Sequence, residues 1–246
     1  MPLLALPFLA LAASAEILCP GNHGGHLQGI ATDPAYNIYW SFTVALIKTD
    51  DTGQLLAQVE APSHQGDLTW HDGRLYVAVN LGAFNREPGH ADSWVYVYDD
   101  ESLELLEKHP VPELVHGAGG ITTHDGEFIL VGGLPRGYDK NHAYRYDAAW
   151  NFLGAHPIES GYTNMGIQTA CYLDGHFWFG TYNGVDSLIV TREDFTVEHR
   201  SQLNAAYGIA PWKDGQWLRA QSAKGETRGT WTATALIETP PTIPAR

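Results

Sequence analysis

Five times along the chain an apolar stretch runs into a tight turn and returns as a second apolar stretch: residues 29–42, 67–79, 120–131, 169–182 and 209–221. Four of the turns carry the same pair, Asp72-Gly73, Asp125-Gly126, Asp174-Gly175 and Asp214-Gly215. A two-residue type I′ turn needs positive φ at both central positions, which makes Asp-Gly a strong hairpin signal. The first copy has the longer turn Asp33-Pro34-Ala35-Tyr36-Asn37. The pairs are spaced 53, 49 and 40 residues apart. A period of about 40–50 residues with a hairpin in each unit predicts a β-propeller.

Each repeat reads as four antiparallel strands. In repeat one they fall at 29–32, 38–42, 45–49 and 55–60, and in repeat two at 67–70, 75–79, 94–98 and 103–108. Repeat three gives 121–123, 128–131, 143–146 and 152–156, and repeat four gives 168–172, 177–181, 187–191 and 196–200. The fifth offers only 207–211, 216–220 and 230–237, and residues 16–19 are free to supply its outer strand. Such a closure ties the two ends of the chain together and hides the last sheet edges. The expected fold is therefore all-β, a five-bladed propeller of four-stranded blades closed by the N-terminal strand. A sixth hairpin is missing, and the regular hairpins argue against an irregular β-sandwich.

The 246 residues include 26 glycines, 8 tryptophans and 12 tyrosines, with 17% charged side chains, the composition of a compact β protein. A net charge of −14 provides no basic footprint for nucleic acid. Residues 1–15 form an apolar run ending in Ala13-Ser14-Ala15, which resembles a secretory signal cleaved before Glu16. The expected mature protein is a single domain over 16–246, secreted or periplasmic, with no membrane span after cleavage. Cys19 and Cys171 either pair or stay as buried free thiols, the second being preferred. The Pro-rich tail at 239–244 is expected to fray.

The Asp-Gly turns leave one face of the ring with little material. The other face gathers the segments that lead into each inner strand and two long loops, 80–92 and 132–142, where function usually lies. These segments are rich in imidazole and amide. His26, His64 and His116, distant in sequence, are candidates to meet at the channel mouth as a divalent metal site or as acid and base. The competing reading has them bonded to backbone and channel water. Asp67 is a candidate catalytic acid or a buried tie between blades. Gln28, Gln65, Tyr162, Asn164 and Tyr207 are candidate substrate contacts, and Arg86 and Arg136 would suit an anionic group. No Gly-x-Ser-x-Gly, phosphate-binding Gly-Lys loop or His-Glu-x-x-His occurs.

The opening blade, His26-Leu-Gln-Gly-Ile-Ala-Thr-Asp, then Ile38-Tyr-Trp-Ser, then Leu46-Ile-Lys-Thr-Asp-Asp-Thr-Gly-Gln-Leu, resembles the plant-type glutaminyl cyclases. The resemblance covers about the first quarter of the chain and implies an exported five-bladed propeller with Gln28 at the ligand pocket. The family's catalytic acid falls on Gln65, which as an amide cannot perform the proton transfer, leaving Asp67 to take over. The chain is also broadly similar to exported propellers with hydrolase or lyase activity on sugars or lactones. The sequence thus supports an exported enzyme, a hydrolase, lyase or transferase for a small polar substrate such as a sugar derivative. The alternatives are a non-catalytic ligand- or protein-binding propeller and a glutaminyl-cyclase-like cyclotransferase.

Overall fold

The computed structural model describes residues 15–243. The leader expected over residues 1–15 falls almost wholly outside the described residues. The described chain opens with β1 (Glu16–Leu18) and β2 (His23–Gly24). Blade one follows as β3 (Leu27–Thr32), β4 (Ile38–Phe42), β5 (Ala45–Thr49) and β6 (Leu55–Glu60). Blade two is β7 (Gln65–His71), β8 (Arg74–Asn80), β9 (Ser93–Asp99) and β10 (Leu105–Pro110). Blade three is β11 (Ala118–His124), β12 (Glu127–Gly132), β13 (Asn141–Tyr146) and β14 (Phe152–Ile158). Blade four is β15 (Ile167–Leu173), β16 (His176–Thr181), β17 (Leu188–Thr191) and β18 (Val197–Ser201). Blade five is β19 (Ile209–Pro211), β20 (Trp217–Lys224) and β21 (Thr230–Glu238).

Each blade is an antiparallel meander, and β1 completes the fifth by pairing Glu16–Leu18 with Leu236–Thr234 of β21. β2 adds a second stitch, His23 opposite Trp231. The inner strands β3, β7, β11, β15 and β19 touch in succession, and β19 returns to β3. The molecule is a five-bladed β-propeller.

The local signals behave as the backbone requires. At the four Asp-Gly turns φ is 47, 49, 51 and 54° for the aspartates and 75, 75, 76 and 72° for the glycines. A second recurrent turn, between third and fourth strands, is absent from the sequence reading. Asp50, Asp99 and Asp147 each accept backbone N–H bonds from two or more of the next residues. The chain then passes through positive φ at Gly53, Leu103 and Trp150. These Asx turns are the mechanism that makes short hairpins out of Asp-led loops.

Apolar side chains form five clusters, one in each seam between neighbouring blades. Trp40 and Phe42 meet Ala210 and Leu218 in the seam of blades five and one, and Tyr39 meets Leu75 and Val77 in the next. Ala78 packs with Ile121, Ile129 with Phe177, and Trp178 with Trp217 in the remaining three. Each middle strand is thus sandwiched on both faces, which is why β4 and β5 are buried along their whole length rather than at alternate residues. Cys19 and Cys171 sit in different seams as buried free thiols. The tail does not fray within the described residues. Residues 239–243 lie beside Trp178 and Gly215, and Ile243 packs onto the Trp178–Trp217 cluster. No helix among the described residues is long and apolar enough to cross a membrane.

Candidate functional site

The inner strands share an irregularity that builds the site. β3, β7, β11 and β15 each carry a bulge one turn from their start, between Leu27 and Gly29, Gln65 and Leu68, Ala118 and Gly120, and Ile167 and Thr169. A bulge leaves an extra residue unpaired and re-aims its side chain. The extra residues are Gln28, the Gly66-Asp67 pair, Gly119 and Gln168. Four of these, Gln28, Gly66, Gly119 and Gln168, line a cavity of about 140 Å³ on the channel axis. The two glycines leave the space that the two glutamines border. A Cβ on Gly66 would lie 2.6 Å from the Gly119 carbonyl, so blades two and three close only with glycine there.

Immediately beneath, the equivalent positions are Gly29, Asp67, Gly120 and Thr169. With no side chain at two of them, the Asp67 carboxylate occupies the axis. Its Oδ2 accepts the Ala170 N–H at 2.8 Å from blade four, and the backbones of Leu68 and Ile121 bond it as well. It is 1% exposed, and burial lifts its pKa well above the ordinary 3.8 despite these donors. A Cβ on Gly29 would run into its Oδ1. Asp67 is the tie between blades and lines neither mouth of the channel. As a catalytic acid in contact with the cavity it is displaced.

His26 and His64 stand on the cavity wall with Gln28 between them. Gln28 is buried, and its Nε2 lies 3.2 Å from Thr43 Oγ1 and 3.5 Å from each of His26 Nε2 and His64 Nε2. His26 Nδ1–H donates to the Leu27 carbonyl at 2.8 Å, which puts its lone pair on Nε2. His64 bonds the Gln65 backbone in turn. Gln28 has two N–H groups for three acceptors, and Thr43 is the nearest of them, so at least one imidazole lone pair is left over. His64 is exposed at the rim, yet its ring is desolvated enough to hold its pKa below the ordinary 6.5, with repulsion from His26 as the second cause.

His116 does not join them. His26 and His64 each precede their bulge residue by two positions, whereas His116 precedes Gly119 by three. The matching position in blade three is Gly117, at φ 102°, and a Cβ there would lie 2.5 Å from the Phe84 ring. Phe84, from the long loop of blade two, thus fills the place a third imidazole would need and itself lines the cavity. His116 Nδ1 donates to the Arg86 carbonyl at 2.7 Å, and its ring packs on Tyr138. Among the described residues no three His, Cys, Asp or Glu side chains gather closely enough to hold a metal ion, so the structure does not assemble the three-imidazole ligand set.

The other candidates divide. Gln65 is fully buried away from the cavity, donating to the Pro62 carbonyl at 2.5 Å and accepting from Tyr98 Oη at 3.2 Å. Tyr162 and Asn164 are exposed and tied to Asn183. Arg86 and Arg136 are exposed on the long loops, outside the cavity lining. Tyr207 stands behind the site, its ring edge-on to His26 and Tyr182. Sequence reasoning missed Gln168, Phe84, Met165 and Tyr182, all of which line the cavity. Burial, with Tyr207 adding to it, raises the pKa of Tyr182 and keeps its hydroxyl protonated.

No protein-family model matches the chain, and no curated protein matches it. Among solved structures it is similar to the Bacteroides ovatus xyloglucan PUL GH43B, at 12% identity and TM-score 0.60, covering 89% of this chain and 53% of that one. A Bacteroides caccae protein of unknown function matches at 13% identity and TM-score 0.50, over 88% and 85% of the two chains. A chain of the nidogen/laminin complex matches at 7% and 0.51, over 78% and 70%. At such identities the likeness is one of fold.

Proposed function

We propose that the protein is an exported enzyme, a hydrolase or lyase, that acts on a small polar substrate in the axial cavity with an imidazole of the His26–His64 pair as general base. The observation that carries this reading is the surplus lone pair: two imidazoles and a hydroxyl compete for two amide hydrogens inside one pocket. His64 is assigned as the base, because burial lowers its pKa and so keeps the ring unprotonated near neutral pH. Gln28 holds both rings in place, and Tyr182 supplies a hydroxyl able to donate a proton or a hydrogen bond. A polar substrate is supported by the amide-rich lining, and the distant GH43B likeness is compatible with a carbohydrate.

A non-catalytic binding propeller would present shallow aromatic patches repeated over several blades, and here one asymmetric cavity draws on blades one to four. Glutaminyl cyclisation through a carboxylate finds no support, because Gln65 is sequestered and Asp67 lies beneath the cavity floor. The test is turnover of a panel of glycosides and sugar lactones by the protein and by His64→Ala. The loss expected for a positioned base is about 10²–10⁴-fold. Unchanged turnover in His64→Ala would remove the assignment.

A further inference from the structure

We infer that the axial cavity takes an uncharged, hydroxyl-rich ligand about the size of one sugar ring, in preference to an anionic or cationic one. This rests on reading the cavity as the substrate site. Two carbonyl oxygens carry the argument. Gln28 and Gln168 are only 6% and 8% exposed, and both side chains line the cavity. Their amide nitrogens are committed. That of Gln168 donates to the Met165 carbonyl at 2.6 Å, and that of Gln28 has its two hydrogens taken up by Thr43 and one of the two imidazoles. Neither amide can rotate without surrendering those bonds, and no described protein group pairs with either Oε1.

Neither oxygen is among the buried side-chain atoms left without a partner, so both are open to solvent, and a ligand that covers them must bring donors or leave each unpaired at a cost of about 1–3 kcal/mol. With the spare imidazole lone pair, the side-chain wall offers at least three acceptors. Carboxylates and phosphates, whose oxygens only accept, find a single hydroxyl donor among the lining side chains, that of Tyr182. Arg86 and Arg136, which would favour an anion, are exposed on loops outside the lining. An ammonium would supply donors, but no Asp or Glu lines the cavity to compensate its desolvation. Hydroxyls donate to the carbonyls at no such cost and can also accept from Tyr182. Phe84 and Met165 offer an apolar wall of the kind that fits the C–H face of a sugar ring. At about 30 Å³ per water, 140 Å³ holds the equivalent of about five waters, so the cavity encloses part of one ring and the rest lies at its open mouth.

The experiment titrates the mature protein with glucose, glucosamine and glucuronate by calorimetry, with turnover assayed separately. Glucose is expected to bind at least about tenfold more tightly than the other two, the equivalent of one unsatisfied buried polar group. Gln168→Leu should weaken glucose about tenfold, and Gln168→Glu should shift the preference toward glucosamine. The double change Arg86→Ala with Arg136→Ala should leave all three affinities as they were. Tightest binding of glucuronate or glucosamine overturns the inference, and so does failure of all three to bind. Glucose binding without turnover of any sugar overturns the enzyme reading alone, and turnover of an anionic sugar overturns the neutral preference alone.

Discussion

His64, just before β7, and Asp67, within it, sit three positions apart and are displaced in opposite directions by the same cause. Burial disfavours the charged form of each, lowering the imidazole and raising the carboxylic acid. For His64 the consequence is kinetic. The acid limb of kcat/KM should fall at a pH below 6.5, read from a pH–rate profile with the best substrate of the panel. For Asp67 it is thermodynamic. The folded protein keeps this proton where the unfolded chain has already released it, so folding is favoured less as pH climbs from the ordinary carboxylate range toward the raised value. Asp67→Asn should flatten that part of the stability–pH curve and cost about 1–3 kcal/mol in urea unfolding, because the amide offers backbone donors one acceptor oxygen in place of two. The exposed Asp50, Asp99 and Asp147 act with the other sign. Hydrogen bonds from their own turns depress them, so their contribution is present above the ordinary carboxylate range and is lost on acidification.

Among elements, the hairpins were legible and the bulges were not. An Asp-Gly turn is decided by two residues and their φ, which is local information. A bulge is defined by what the partner strand does, and Gln168 looks like any other polar residue until β15 and β16 slip by one. His116 shows the same limit. Its place before an inner strand made it equivalent to His26 and His64 in sequence, and one extra residue before the bulge turned it toward Arg86 and Tyr138. The glycines mark both kinds of constraint. At Gly126, φ is 75° with nothing near a new Cβ, so Gly126→Ala should cost only the left-handed penalty of about 1–2 kcal/mol. Gly29→Ala drives a methyl into Asp67 Oδ1 and should cost more, with denaturant midpoints ranking the two.

At the level of the whole ring, the closure expected from the missing outer strand of blade five is the one observed, and five blades follow from five hairpins. What sequence could not give was the depth of the channel, because the tie at Asp67 depends on blades two and four meeting across the axis. The closure also concentrates risk. Ile17 is one residue of a three-residue strand, yet it is 5% exposed in the seam of blades five and one. Ile17→Ala should cost about 2–5 kcal/mol, as other buried aliphatic truncations do, and differential scanning calorimetry should still record a single transition. The export reading has its own check: intact-mass analysis of the protein recovered from the medium or periplasm should give a chain beginning at Glu16.

The direction of β1 has a practical corollary. It climbs from the Asp-Gly side toward the cavity side, while β21 descends beside it and ends at Glu238 back on the Asp-Gly side. Both described ends of the chain therefore leave from the same underside. A support, a surface or a fused partner attached at either one would find the open mouth of the pocket turned outward, toward whatever diffuses past.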